Sequence, residues 1–554
     1  MKRNLWLGIL AIAAMLCTVF GLTACKDKEF DPSIPTEGLK YTLNKDGMSY
    51  SVTGAGTNLL ALHIVIPAEY NDLPVTAIGK NVFALCARLQ NVIIPDSVIS
   101  IDDYAFFNQK YLTSITIGSG VTSIGENAFS GCRSLNSIIL PDSVTSIGEE
   151  AFEYCTGLTS IVIPDSLTVI ADKTFYDCSG LKSVTIPDSV TAIGSSAFSG
   201  CSGLASITIP DSVTAIGSSA FSGCSGLASI TIPDSVTTLG RSVFYGCSGL
   251  TSTTIGSGLT AIAGDMFGNC SKLTSVTIPN NITAIESSAF YGCSGLAGIT
   301  IPDSVTAIGS YAFRGCSGLT SILIPDSVTT IKSDAFSACS GLTSITVATG
   351  NRVYRSANNC IIKTDKNELV LGCKTSVIPN DVTTIGDNAF NGCSALTSIV
   401  IPDNVTELKN SVFGGCSGLT SVTIPDSVTA IGSSAFSNCS GLTSVTIGSG
   451  LTVISSDAFR NCSGLTSIVI PNNVTVIGYS AFFGCSALNS ITIPNSVTTI
   501  ERYAFGHCSE LKSITFQGTS AEWQAIEKKE SWRSSSVIES VVCTDVPLTG
   551  DDMN

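Results

Sequence analysis

Apolar and polar positions repeat along most of the chain with a step of 23 residues. In residues 132–154 the apolar positions are Cys132, Leu135, Ile138, Leu140, Val144, Ile147, Ala151 and Phe152. Ile138 and Leu140 alternate with outward residues, which predicts a short strand. Pro141-Asp142-Ser143 ends it, because proline cannot donate to a ladder and Asp and Ser bond back to local backbone. Val144 to Ile147 predicts a second short extended segment, and Gly148 turns the chain. Ala151, Phe152 and Cys155 fall at three- and four-residue steps, which predicts one helical turn. All these apolar side chains then point into a flattened tube. Successive coils stack about 4.8 Å apart and their strands form a parallel sheet.

Cysteine keeps the count. Cys132, Cys155, Cys178, Cys201, Cys224, Cys247, Cys270, Cys293, Cys316 and Cys339 hold the step, as do Cys393, Cys416, Cys439, Cys462, Cys485 and Cys508. Counting back from Cys132 lands on Gln109 and then Cys86. A fixed period of this size means a solenoid of stacked leucine-rich-type coils, so the 554 residues do not imply several globular domains. The expected class is an α/β leucine-rich-repeat solenoid, strand-dominated, with short helical turns, a parallel β-sheet and a cap at each end.

The motif L-x-S-I-x-I-P-D-S-V-T-x-I-G-x-x-A-F-x-x-C-S-G-L stands nearly intact at Leu181–Leu204 and again at Leu204–Leu227. It resembles the BspA-like leucine-rich repeat family of bacterial surface proteins, and the resemblance runs from about Gly38 to Cys543. It departs from the commoner leucine-rich repeat in lacking the Asn that follows the strand. The resemblance implies adhesion to host matrix proteins or to other bacteria, but a shared fold does not transfer a ligand.

The repeat rhythm divides the chain. Residues 1–24 form a leader, 25–37 a tether and 38–74 an N-terminal cap, where Asp46-Gly47 between alternating runs predicts a β-hairpin. Residues 75–347 are a first block of repeats and 374–515 a second. Between them the cysteine step stretches to 54 residues, from Cys339 to Cys393. The extra residues fall in 348–373, where Cys360–Lys363 and Glu368–Leu371 flank Thr364–Asn367, a second hairpin signal. This reads as a structural insertion or as a projection that carries recognition. Residues 516–554 form a C-terminal cap in which Trp523 and Trp532 cover the last coil, followed by a loose tail over 544–554.

Lys2 and Arg3 precede an apolar stretch, Leu5 to Leu22, which ends in Leu22-Thr23-Ala24-Cys25. The arrangement is that of a signal peptide and resembles a bacterial lipobox, with Cys25 lipidated as the new N-terminus. Lys26-Asp27-Lys28-Glu29 is similar to the charged tag that sends some lipoproteins to the outer leaflet. The expected location is therefore the outer membrane, exposed at the cell surface, held by the N-terminal lipid alone.

Charge narrows the partners. The net charge is −15, and loss of Lys2 and Arg3 with the leader takes it to −17. Such a surface lacks the clustered cations that nucleic acid requires. The expected partner is a protein or glycan bound by a monomer, with no cofactor. The alternative is a structural or glycan-associated envelope protein with no host ligand. Two outward rows on the sheet are the candidate binding face: Ser137, Ser160, Ser183, Ser206 and Ser229, and beside them Thr185, Thr208 and Thr231.

Catalytic chemistry finds little support. The two histidines, His63 and His507, fall at opposite ends of the solenoid, on the order of 90–100 Å apart. The Asp column (Asp142, Asp165, Asp188, Asp211, Asp234, Asp303, Asp326) lies in turns and offers too few ligands for calcium. Its Asp-Ser-Val triplet resembles an O-glycosylation sequon at Ser97, Ser143, Ser189, Ser212, Ser235, Ser304, Ser327 and Ser427, with Ser166 in Asp-Ser-Leu; turn chemistry alone also accounts for it. The ladder cysteines are expected to be reduced, buried and non-ligating, because parallel inward Cβ vectors stay farther apart than a disulfide allows. Cys360 and Cys373 flank the insertion hairpin and are the one pair placed to bridge. Aromatics at Phe107, Tyr176, Tyr245, Tyr291 and Phe483 share the coil position after the core Phe, where they pack between coils or line the far side.

Overall fold

The computed structural model describes residues 30–553. They wind into a strand-dominated solenoid of about 21 turns. Each turn has three walls. On wall one, strands such as Ser160–Val162 and Ser183–Thr185 pair in parallel, with Ser160 opposite Ser183 and Ser183 opposite Ser206. On wall two, Val169–Ile170, Ala192–Ile193, Ala215–Ile216 and Thr238–Leu239 do the same. The 23-residue offset sets each residue beside its own counterpart, so Ile161, Val184, Ile170 and Ile193 all turn inward and are buried.

Wall three differs from the expectation. The predicted helical turn does not form. Lys173 and Asp177 adopt φ of 52° and 56°. The N–H groups of Lys173, Phe175 and Asp177 donate to the carbonyls of Ser195, Ala197 and Ser199 in the next coil, at 2.8, 2.8 and 2.7 Å. A helix directs its N–H groups along its own axis and satisfies them internally. Here alternate N–H groups face the neighbouring coil instead, and tight turns such as Tyr176 N–H to Lys173 O (3.0 Å) fill the gaps. Apolar spacing of three and four residues is shared by a helical turn and by tandem turns, so the pattern alone does not separate them.

Two ladders fill the tube. Phenylalanine rings stack coil on coil, for example Phe198 on Phe221 at 5.4 Å and Phe221 on Phe244 at 5.6 Å. Beside them the ladder thiols from Cys132 to Cys339 and from Cys416 to Cys508 donate to the Phe carbonyl of the preceding coil, for example Cys178 to Phe152 at 3.1 Å, Cys224 to Phe198 at 3.2 Å and Cys416 to Phe390 at 3.2 Å; Cys86 and Cys393, which open the two blocks, reach Asn58 O and Gly372 O instead. Where the count lands on Gln109, the side-chain amide takes over and donates to Phe83 O at 2.6 Å. The cysteine position is thus a donor slot as well as an apolar one.

At the N-terminus, Lys40–Leu43 and Tyr50–Gly54 form an antiparallel hairpin, and the second strand continues in parallel onto Leu73–Ile78. Wall one starts before residue 75, since His63–Val65 pairs with Asn91–Ile93. The end of the tether is docked: Thr36 N–H donates to Val65 O at 2.8 Å, and Phe30 stacks on His63 at 4.3 Å. At the C-terminus, Trp523 and Trp532 pack on each other at 6.1 Å, with Trp532 edge-on to Phe505 of the last coil. The expected loose tail is instead ordered. Leu548–Thr549 pairs with Ser540–Val541, and the carbonyl of buried Met553 accepts the Trp523 indole N–H at 3.0 Å. Val546, Leu548 and Met553 are the apolar residues of that tail, and two of them supply cover that the cap needs.

The insertion does not project. Tyr354–Ala357, Cys360–Lys363 and Glu368–Leu371 form an antiparallel meander whose last strand joins wall two by pairing with Thr384–Ile385. Its strand alternation faces two ways. Ile361, Leu371 and Cys373 belong to the core of the first block, whereas Cys360, Ile362 and Leu369 belong to that of the second. The meander is a septum, exposed at its turn Thr364–Lys366 and at Asn358. Cys360 and Cys373 are free thiols.

Candidate binding surfaces

The outside of wall one carries the predicted rows. Ser160, Ser183, Ser206 and Ser229 are exposed, as are Thr185, Thr208 and Thr231, and Ser137 bridges to Ser160. Aliphatics interrupt the threonine row at Ile139 and Val400, which are 84% and 79% exposed. The sheet is not continuous: Ser206–Ile207 pairs with Ser183–Val184, but its ladder does not extend to Ser229–Ile232. A shallow cleft of about 630 Å³ lies there, lined by Ser206, Thr208, Asp211, Ser229, Thr231 and Asp234.

The turn between walls one and two uses its serines internally. Ser143, Ser189, Ser212, Ser235, Ser304, Ser327 and Ser427 are half-buried, and each hydroxyl donates at 2.6–2.8 Å to a carbonyl 22 residues back. Ser166 does the same to Val144 O. A glycan on any of these oxygens removes that bond. Ser97 differs: it is half-buried, but its hydroxyl oxygen is buried with no partner among the described residues. Where Gly-Ser-Gly replaces Pro-Asp-Ser, the serine turns to the preceding Asp. Asp96, Asp234 and Asp426 each accept from the backbone N–H and hydroxyl of Ser119, Ser257 and Ser449, which holds these carboxyls below the usual range. The Asp column is therefore partly spent on coil-to-coil bonds. Among the described residues no group of three His, Cys, Asp or Glu side chains is placed to hold a metal.

His63 Nδ1 lies 2.8 Å from Asn91 Nδ2, and His507 lies edge-on to Phe483 at 4.8 Å. Among the described residues neither has a nucleophile or carboxylate partner in a triad arrangement. Burial pushes the ladder thiols up, to about 12 for Cys155, Cys339 and Cys508. They remain protonated near neutrality, unsuited to ligation or nucleophilic attack.

Wall three was the least legible surface. Tyr245 and Tyr291 do reach its exterior, and Tyr154 and Tyr176 meet edge-on at 5.7 Å. Phe483 lies across Gly506 with Arg460 over its ring at 4.6 Å. Tyr311, Asp265 and Arg314 join Tyr245 and Tyr291 around one cleft. Nothing in periodicity marked those three, although each departs from the Ser or Gly of neighbouring repeats. Cys25 and the segment 26–29 lie outside the described residues. Among the described residues no helix is long and apolar enough to cross a membrane.

The family model of the BspA type Leucine rich repeat region (6 copies) matches residues 76–205, 168–297, 260–378, 370–489 and 452–542. Similar solved structures include a leucine rich cell surface protein from Faecalibacterium prausnitzii, 28% identical, covering 91% of this chain and 99% of that one with a TM-score of 0.39. A leucine-rich repeat protein from Bacteroides ovatus is 24% identical over 91% of this chain and 99% of its own, with a TM-score of 0.37. The pneumococcal vaccine antigen PcpA is 16% identical over 93% and 98%, with a TM-score of 0.31. No curated protein matches the chain.

Proposed function

The chain belongs to the BspA-type leucine-rich repeat family, and from this premise we propose that it is a surface lipoprotein that binds macromolecular partners in an adhesin-like manner. The observation that carries the reading is the scaffold itself. Its core is spent on coil-to-coil contacts, its thiols are protonated, and its outer rows repeat in register over many coils. Such a surface fits a long partner, a matrix protein, another cell's envelope or a glycan, better than a small molecule, which needs a concave apolar pocket. The Leu22-Thr23-Ala24-Cys25 sequence would supply the anchor, and the end of the tether at Thr36 is docked on the first coil.

Protease shaving of intact cells tests the placement. Release of solenoid peptides is expected, and Cys25→Ser is expected to free the chain into the soluble fraction. Full protection from protease overturns surface display. A solid-phase screen of the soluble mature chain against matrix proteins and glycans then tests binding. A displayed chain that retains nothing points to an envelope role without an external ligand.

A further inference from the structure

On wall three, coils at 194–201 and 217–224 both read Gly-Ser-Ser-Ala-Phe-Ser-Gly-Cys. The next four coils depart from this at outward positions, bringing in Tyr245, Asp265, Tyr291, Tyr311 and Arg314. These five and Ser288 line one cleft of about 290 Å³. The tyrosines are each 38% exposed. They are not needed for the coil: the Phe rings stack at 5.4 Å between two serine coils and at 5.5 Å where Tyr291 follows the core Phe.

The cleft is built. The Tyr245 ring lies across Gly268, where an added Cβ would come within 2.7 Å of the ring, and Asn269 Nδ2 donates to the Tyr245 hydroxyl at 2.7 Å. Both residues belong to the following coil, so one repeat clears the space and orients the ring of another. Arg314 lies 5.3 Å from the Tyr311 centroid and makes no ion pair among the described residues. Asp265 is held through one oxygen by Arg241 at 3.1 Å.

We propose that this cleft is a saccharide subsite. A pyranose presents an apolar C–H face, which packs against the electron-rich face of tyrosine. Its hydroxyls lie at the ring edge and need donors and acceptors together. Arg314 donates, Asp265 accepts, and Ser288 and the tyrosine hydroxyls do either. The volume is at the lower limit of ligand clefts, about 300–1,000 Å³, which suits one or two sugar rings of a longer chain. A proline-rich peptide also docks on aromatic grooves, but it leaves the Asp265 and Arg314 edge without partners. The inference takes its biological sense from the surface-binding reading, while its test stands apart.

The test uses the full mature chain on an array of cello-, manno-, galacto-, chito- and uronate-containing oligosaccharides, followed by calorimetry on the best retained sugar. Tyr291→Ala and Tyr311→Ala are expected to weaken binding about tenfold or more, with unchanged thermal melting. Tyr104→Ala, distant on the same wall, is expected to leave affinity unchanged. A folded chain that retains no sugar overturns the inference, as does sugar binding indifferent to Tyr291 and Tyr311. So does a decaproline peptide that binds and is lost with the same two variants while the sugars are not retained. Failure of the array with successful shaving leaves surface display standing; the converse result removes display and keeps the subsite.

Discussion

The two repeat blocks are built from one motif, yet they are not one continuous core. From Phe83 to Phe336 the phenylalanines stack at 5.0–5.7 Å without a break, and from Phe390 to Phe505 they stack again at 5.2–5.5 Å. Between Phe336 and Phe390 the septum intervenes. Gly372 takes the backbone role of a core Phe, donating to Ala389 O at 2.8 Å, while its missing side chain leaves room for the Phe390 ring. Wall three still crosses the joint directly: Ala338 N–H donates to Asn391 O at 2.7 Å, and Asn388 Nδ2 to Asp334 at 2.9 Å. In a solenoid each coil contacts only its neighbours, so stability is a chain of nearest-neighbour terms. The septum, where one core ends and the other begins, is where that chain of terms is expected to separate into two cooperative units.

The strongest way to pull the blocks apart is alkali. Unfolded thiols ionise near 8.5, whereas burial holds the protons of the ladder thiols well past that in the folded state, to about 12 for Cys155, Cys339 and Cys508. Between those values the unfolded chain binds fewer protons, so stability falls as pH rises, by up to about 1.4 kcal/mol per pH unit for each thiol. The first block carries eleven ladder thiols (Cys86 and Cys132 to Cys339) and the second six (Cys393 to Cys508). Circular dichroism melts at pH 8, 9 and 10 with proteolytic mapping are expected to show the first block losing stability more steeply. Lys528 works in the opposite sense at the far end. Burial holds it down at about 8, against about 10.4 unfolded, so its contribution rises with pH between those values and favours the C-terminal cap. Equal alkaline sensitivity of the two blocks breaks the comparison.

Core truncation comes next. Phe221→Ala and Phe413→Ala each are expected to cost about 3–5 kcal/mol. Limited proteolysis is expected to cut only the block that holds the substitution; coincident unfolding of both blocks shows that the septum transmits cooperativity. Gly372→Val drives a side chain into Phe390 and is expected to cost about 1–3 kcal/mol. Its signature is wider separation of two calorimetric transitions rather than a uniform shift. The smallest effect is Ser235→Ala, about 1 kcal/mol for loss of the bond to Val213 O. The equivalent Ser427→Ala in the second block removes the same bond, to Val405 O, and is expected to match it in urea titration.

Much of this was legible because a period is a strong signal. Leu135, Ile138, Val144 and Phe152 declared an inward side, and the cysteine step located the interruption. Two features were misjudged for the same reason, and a third, the meander at 354–371, was read only as far as its hairpin. The turn at Ala151–Cys155 and the tail at 544–553 are short, and a short apolar pattern fits several backbones. Which backbone forms depends on hydrogen-bond partners supplied by another coil. Tyr311, Asp265 and Arg314 escaped notice because they are irregular, and a search for periodicity discards irregular residues; comparing each repeat with its neighbours would have found them.

The sequence by itself determined that this is a solenoid of 23-residue coils and that its ladder cysteines lie in one inward column. Inward burial follows from side-chain polarity and spacing, which are properties of the chain alone. The tertiary structure decided that wall three is a ladder of turns, that the insertion partitions the core, that the Cys column donates to Phe carbonyls, and that three tyrosines from separate coils share a cleft. Each of these depends on the distance between residues of different coils, and only the stacking of coils fixes that distance.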